Sequence, residues 1–360
     1  MLLHYILIII GIIIFNLLFN KFPTLKESKC DSTLKVSVII PARNEEKNID
    51  NLLTDLENQT YDIHEIICVD DNSTDSTATI IKKHKVKYIL LDTLPKGWKG
   101  KTWACQNGAL KASGEVLIFL DSNVRVKNTA IESLISTYKK GEKPLSIQPY
   151  HIVKKNYEYL SIFFNFIQLC VTYLTIFNKK DYLGFYGPTF IIDRELFFKH
   201  GGYEKVKNAV VEDLFLGKYY KKVGIDVDLL LGGNEVKFTM YPESFSQLVE
   251  GWSKNFAQAA LSIRFSIFFM VFIWITYLIL VPYLLFNVVV YHQLFLTFVL
   301  GTLYFLTSLK LYHSSKYIGS FPFFVSLFYP LYLIAFMIIF VYSFFKTFFF
   351  KNTTWKGRVM

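Results

Sequence analysis

Three short stretches of the chain carry side chains of the types and spacing that do chemistry. Asp121-Ser122-Asn123 follows the apolar run Val116 to Leu120. Asp70-Asp71-Asn72-Ser73-Thr74-Asp75 follows Glu65 to Val69, and Pro41-Ala42-Arg43-Asn44-Glu45 follows Val36 to Ile40. Asp70 and Asp71 can accept hydrogen bonds from the N–H of a base and from ribose hydroxyls. Asp121 and Asn123 offer hard oxygen atoms, the donors that Mg2+ or Mn2+ takes, and such an ion would neutralise a diphosphate. Either acidic stretch alone reads more readily as a turn with a helix cap than as a site. Two of them at corresponding ends of buried runs favour a ligand crevice. No Gly-x-Gly-x-x-Gly follows the first run and no Gly-x-x-x-x-Gly-Lys-Ser/Thr occurs anywhere, which sets aside dinucleotide-binding and P-loop proteins.

The elements that must position these tips alternate. Val36 to Ile40, Glu65 to Val69, Lys87 to Leu91 and Val116 to Leu120 read as strands. Between the first two, Ile49, Leu52, Leu53 and Leu56 recur at helical spacing, with Asn44 placed to cap and Glu45 and Glu46 in the first turn. Alternating units of this kind build a parallel sheet with helices on both faces, so the fold class is α/β. In such sheets ligands bind beyond the carboxyl ends of the strands, where the acidic tips lie.

The 360 residues taken together are more apolar than an ordinary globular domain: 52% hydrophobic, 19% charged, with 35 Phe. Leu2 to Phe19 is long and apolar enough to cross a bilayer, and Lys21, Lys26 and Lys29 follow it. By the positive-inside rule that flank faces the cytoplasm. A cleaved signal peptide lacks its basic leader and its small-residue cleavage site here. No Asp, Glu, Lys or Arg lies between Arg264 and Lys310, room for two spans turning near Tyr291-His292-Gln293, nor between Lys316 and Lys346, room for one. Lys310 to Lys316 then reads as a cytoplasmic loop. This count leaves the basic tail outside, against the charge rule, so either the parity differs or one segment is re-entrant. The expected organisation is an anchor at 1–21, a cytoplasmic catalytic domain at 35–264, about three spans at 265–350 and a basic tail at 351–360, in a multi-pass protein of the cell membrane. The net charge of +10 suits anionic lipid better than nucleic acid, since no nucleic-acid-binding motif accompanies it. The four cysteines form no C-x-x-C pair, which speaks against a disulfide framework or a zinc site.

The segments VSVIIPARNEEKNI, CVDDNSTDST, GKTWACQNGA and FLDSNV, followed later by VEDLFLGKYYKKVG, occur in the order of the motifs of glycosyltransferase family 2, and the chain resembles that family. PLSIQPYH, EGWSKN and TTWKGR resemble a membrane-bound subgroup acting in staphyloxanthin-type carotenoid synthesis. The resemblance implies a GT-A catalytic domain, UDP-hexose as donor and inversion at the anomeric carbon. It implies that Asp71 reads the uracil, Asp70 helps hold the ribose, Pro41 and Glu45 shape the nucleotide wall and Lys101 reaches toward the nucleotide. Asp121 and Asn123 fall on the family's Asp-x-Asp metal position. Asn123 departs from it by losing a charge, which predicts weaker metal binding or reliance on Asp121 and the diphosphate oxygens for most of the metal's ligands. Asp213 falls on the general base, with Glu212 beside it, and Gly187 and Pro188 on a turn near the acceptor. Trp252 and Lys254 are expected to close over the diphosphate. QLVEGW departs from the Gln-x-x-Arg-Trp of processive synthases, which favours a single transfer.

Tyr157 to Phe177 is apolar on nearly every side. Were it to cross the bilayer it would part the nucleotide motifs from Asp213, so it is expected to lie at the interface or against the catalytic domain. The acceptor is then a lipid. A carotenoid carboxylate is already ionised and gains little from a base, whereas a hydroxyl needs one, and the residues leave both open.

Overall fold

The structure, a computed structural model, describes residues 2–177, 182, 184–209, 211–260, 263–346, 354–355 and 358–359, side chains excepted at 2, 254–260, 354–355 and 358–359. It divides into two compact units, one built on Pro23–Ile152 and Asp181–Met240, the other on Met1–Phe22, Val153–Lys180 and Tyr241–Thr353.

After α1 (Leu2–Leu18), which belongs to the second unit, the first unit runs β1 (Val36–Ala42), α2 (Ile49–Glu57), β2 (Glu65–Asp70), α3 (Thr77–Ile81), β3 (Lys87–Leu90), α4 (Gly100–Lys111) and β4 (Val116–Leu120). It continues through β5 (Val124–Val126), α5 (Ala130–Gly141), β6 (Leu145–Gln148) and β7 (Tyr150–His151). After α6 (Ile162–Thr172) of the second unit come β8 (Thr189–Asp193), α7 (Arg194–Lys199), α8 (Glu212–Lys222), β9 (Asp228–Leu231) and β10 (Val236–Phe238). The main sheet has the order β3-β2-β1-β4-β8-β6-β9, and β5, β10 and β7 form a small second sheet. β1 lies between β2 and β4 and is parallel to both. Every residue of β4 is buried, as a strand covered on both faces requires. The sheet is mixed rather than all-parallel: β8 runs antiparallel to β4 and β6. The alternating pattern of the first four strands gave no sign of that reversal.

Ile49, Leu52, Leu53 and Leu56 are all buried on α2, as their spacing predicts. The cap differs. Asn48 precedes the helix. Asn44 sits four residues earlier in the left-handed region (φ 51°), where its N–H donates to Ser73 Oγ at 3.0 Å and its side-chain oxygen accepts from the Thr74 N–H at 2.9 Å. Asn44 thus staples the loop after β1 to the loop after β2. Pro41 tolerates its place in a central strand because the pairing of β1 with β4 ends at Ile39, so the ladder on that side loses no donor.

The second unit is helical, with α9 (Phe245–Ala260), α10 (Phe265–Val290), α11 (Leu294–Ser315), α12 (Phe323–Leu327) and α13 (Tyr329–Phe345) joining α1 and α6. α10 and α11 are long and apolar enough to cross a membrane, and they turn at Tyr291 to Gln293. Lys310 is part of α11 rather than of a loop, because the helix continues to Ser315. α1 and α10 are antiparallel: Phe15 lies against Tyr277 and Trp274, and Phe19 against Trp274. Within Tyr157 to Phe177 only the 11 residues of α6 are α-helical, ended by Tyr173 at φ 65°. At 1.5 Å per residue that is far short of the roughly 30 Å hydrocarbon core. Phe163 and Phe166 of α6 pack on Trp274, and Phe164 on Trp252 and Phe336.

α12 and α13 form a hairpin along α11. Phe323 touches Tyr312 near the Ser315 end, and four residues on the Tyr304 hydroxyl donates to the Leu327 carbonyl at 2.5 Å, halfway along α11. Tyr329 stacks on Tyr304, after which α13 runs back. Phe336 shares Phe163 with Trp274, and Ser343 Oγ donates to the Ser253 carbonyl of α9, the helix that precedes α10.

Candidate active site

The carboxyl ends of β1, β2 and β4 open on one edge of the sheet. With β1 between the other two, the tips of β2 and β4 stand two strand spacings apart, about 10 Å. At the β2 tip the Asp71 N–H donates to the Ala42 carbonyl at 2.9 Å. The Arg43 guanidinium donates to the Asp71 carbonyl at 2.5 Å, with the Asp71 carboxylate 4.0 Å from it. Asp70 is tied to its own loop and to β3: Oδ1 accepts from the Ser73 N–H and Oδ2 from the Tyr88 hydroxyl, each at 2.9 Å. Its buried carboxylate therefore shapes the loop that presents Asp71. The Glu45 N–H donates to Thr77 Oγ1 at 2.7 Å and its carboxylate accepts from Asn48 at 2.9 Å, which sets it at the entrance to α2.

α4 packs closely over β1 and β2. A Cβ on Gly108 would stand 2.4 Å from Ile39 Cγ2, so only glycine allows the helix to lie this near the sheet. That approach brings Lys101, in the first turn of α4, to the β4 tip. Its Nζ is 2.8 Å and 3.0 Å from the two oxygens of Asp121 and 3.1 Å from Glu212 Oε1. Burial alone would lower the Lys101 pKa, but Asp121 and Glu212 outweigh it and hold it well above the usual lysine value. Asp121 is raised by burial, against the pull of Lys101.

The turn before β8 joins this cluster. The Asp121 N–H donates to the Pro188 carbonyl at 3.0 Å. The Gly187 N–H donates to Asp213 Oδ2 at 2.9 Å, and the Leu214 N–H to Asp213 Oδ1 at 2.9 Å. A Cβ on Gly187 would stand 2.9 Å from Asp213 Oδ2 and 3.2 Å from Lys101 Nζ, so glycine is what lets the carboxylate reach the backbone. Glu212 and Asp213 occupy the first turn of α8, where the helix dipole favours negative charge. Burial and the neighbouring Glu212 nonetheless push Asp213 up to about 6, with Lys101 opposing. Ser146, in a stretch quoted above without any role, clamps the residue before Gly187: its hydroxyl donates to the Tyr186 carbonyl at 2.9 Å and accepts the Tyr186 N–H at 2.7 Å. Arg43 and Ser146 were both legible as polar residues in motifs, but nothing in their spacing gave their partners.

Asn123 donates its side-chain N–H to the Thr239 carbonyl at 3.0 Å, which leaves its side-chain oxygen as the acceptor for a cation. Asp121 is the only carboxylate in Asp121-Ser122-Asn123. Among the described residues no group of three or more His, Cys, Asp or Glu side chains is arranged to hold a metal ion. The donor set therefore fits an ion of the Mg2+ type, which takes one or two protein oxygens and completes its shell with substrate phosphates and water, rather than one held in a protein cage.

The remaining expected residues, Trp252 and Lys254, belong to the helical unit. Trp252 is buried there against Phe164 at 4.6 Å with its N–H donated to Ser161 Oγ at 3.0 Å, so its ring and its donor are both spent on packing. Lys254 is on the same helix, with its side chain outside the described residues.

The α/β fold with its mixed sheet is that of a GT-A glycosyltransferase, and a family model described as Glycosyl transferase family 2 matches residues 37–201. The chain belongs to glycosyltransferase family 2. Its relatives there include the 4,4'-diaponeurosporenoate glycosyltransferases: that of Staphylococcus haemolyticus (strain JCSC1435) is 34% identical over 256 residues, 69% of this chain and 68% of that one. That of Staphylococcus aureus (strain USA300) is 30% identical over 351 residues, 95% of this chain and 92% of that one. Among solved structures, the Pyrobaculum calidifontis mannosyltransferase in complex with GDP-Man and Mn2+ superposes with a TM-score of 0.52 over 94% of this chain and 99% of that one. At 15% identity that likeness concerns the fold alone.

Proposed function

We propose that this glycosyltransferase moves a hexose, glucose from UDP-glucose, to a lipid at the membrane, and that the acceptor is the carboxylate of 4,4'-diaponeurosporenoate in a carotenoid pathway of the staphyloxanthin type. The observation that carries this reading is the single cluster in which Lys101 bridges Asp121 and Glu212 while Asp213 is fixed on the Gly187 N–H. Asp71 takes the base, and the diphosphate lies between Asp71 and Asp121 with Lys101 as its cation. A divalent ion, when bound at Asp121 and Asn123, would supply further neutralisation of the leaving diphosphate. The acceptor oxygen attacks the anomeric carbon from the face opposite UDP, on the side of the Gly187-Pro188 turn. Asp213 stands where it can take a hydroxyl acceptor's proton; an ionised carboxylate acceptor has none to give. The carotenoid acid is favoured by relatives that align along nearly the whole chain.

A second reading, transfer to a lipid hydroxyl, is favoured by Asp213 itself. Its pKa of about 6 is that of a working general base near neutral pH, which an ionised acceptor does not require. UDP release from UDP-glucose with the carotenoid acid, and separately with its alcohol analogue, tests both. Release with the acid supports the first reading, release with the alcohol alone the second, and release only from a GDP-sugar contradicts the donor assignment.

We infer further that the protein is multi-pass with its catalytic unit cytoplasmic. α10 and α11 cross, whereas the α12–α13 hairpin enters to the middle of α11 and returns. A returning hairpin leaves the basic tail on the same side as Lys21, Lys26 and Lys29, which removes the conflict with the positive-inside rule.

A further inference from the structure

The ammonium of Lys101 lies against the one carboxylate that the Asp-x-Asn position offers to a divalent ion. Both oxygens of Asp121 are within 3.0 Å of it, and Glu212 holds it from the other side at 3.1 Å. Two like charges do not share a ligand at such distances without several kcal/mol of repulsion in a partly buried site. A divalent ion and Lys101 are therefore alternatives at Asp121 as the site stands. Lysine has three N–H donors. One can meet Glu212 and the other two the two oxygens of Asp121, so an arriving diphosphate competes with Asp121 for the same ammonium.

We infer that Lys101 holds the place of the divalent ion in the ligand-free site and gives up Asp121 to the ion only when a nucleoside diphosphate draws the ammonium onto its phosphate oxygens. The ion then binds with the donor and not before it. Lys101 is a substrate-binding residue in this scheme, and it prevents a half-assembled site of metal without sugar nucleotide. The scheme rests on the UDP-sugar reading above and deepens it by giving the order in which the site fills. The reciprocity of linked equilibria adds that the ion must tighten the nucleotide by the factor with which the nucleotide tightens the ion.

The test is the affinity of the full-length chain, in detergent, for Mn2+ measured by electron paramagnetic resonance of the free ion, with and without UDP. In the unaltered chain UDP should tighten Mn2+ by about a hundredfold, close to 2.7 kcal/mol. Lys101→Met should bind Mn2+ about tenfold more tightly than the unaltered chain in the absence of UDP, and the gain produced by UDP should shrink by a similar factor. Lys101→Arg, which keeps the charge, should restore weak binding. Equal Mn2+ affinity with and without UDP in the unaltered chain, an arm that needs no variant, would overturn the inference. So would a Lys101→Met chain that binds Mn2+ no better than its parent. Failure to bind UDP in either Mn2+ or EDTA would instead sink the donor reading itself, and this inference with it.

Discussion

Asp213 receives one backbone N–H on each carboxylate oxygen, which fixes its plane. Burial first, and the Glu212 charge second, raise its pKa to about 6, so it is ionised at neutral pH and protonated below that value. With a hydroxyl acceptor, kcat/KM should fall as the pH drops through about 6, and Asp213→Asn should cost about 100- to 10,000-fold in kcat. With the carotenoid carboxylate the profile should stay flat through that range and the variant should lose far less; comparing the two acceptors in one pH series checks this. Gly187→Ala places a methyl 2.9 Å from Asp213 Oδ2 and should displace the carboxylate, lowering kcat about a hundredfold while the thermal midpoint hardly moves. An unchanged kcat in this variant would show that the Gly187–Asp213 contact is not used in turnover. These residues were visible in the sequence as types and motifs. The distances by which Lys101 bridges Asp121 and Glu212 were not, because they arise between α4, β4 and α8, which are remote in the chain.

Helices and strands hold these groups through close approaches that side-chain periodicity does not encode. β1, β2 and β4 emerge where the apolar runs predicted, because a strand buried on both faces must be apolar throughout. The reversal at β8 and the late start of α2 were hidden. The first depends on pairing partners far along the chain, the second on Asn44 bonding to the β2 loop instead of capping a helix. Gly108 sets the distance of α4 from the sheet. Gly108→Ala should destabilise the protein by about 1 to 3 kcal/mol through overpacking, read as a lowered denaturation midpoint. It should also weaken UDP binding, because Lys101 rides on the same helix. A variant as stable as its parent would mean that α4 can lift off Ile39 at no cost.

Across the whole molecule, the apolar stretches were legible as segments but not as crossings. The two long charge-free gaps are equally apolar, and only the contacts of Phe323, Leu327 and Ser343 separate a hairpin that returns from one that crosses. A reporter joined after Met360 should therefore register on the cytoplasmic side, together with one inserted at Lys26. Opposite sides would restore α13 as a crossing segment. Tyr157 to Phe177 likewise reads as a span by composition alone, and its helix proves too short. That matters to function, since a crossing there would have separated the donor motifs from Asp213.

Mass spectrometry of lipids formed when the purified chain meets isotope-labelled UDP-glucose and 4,4'-diaponeurosporenoate bears most directly on the proposed reaction. A labelled glucosyl ester of the carotenoid acid should accumulate with the intact chain and vanish with Asp71→Ala and Asp121→Ala. Labelled glucose on other lipids with none on the carotenoid acid, or an ester that forms undiminished in both variants, would contradict it.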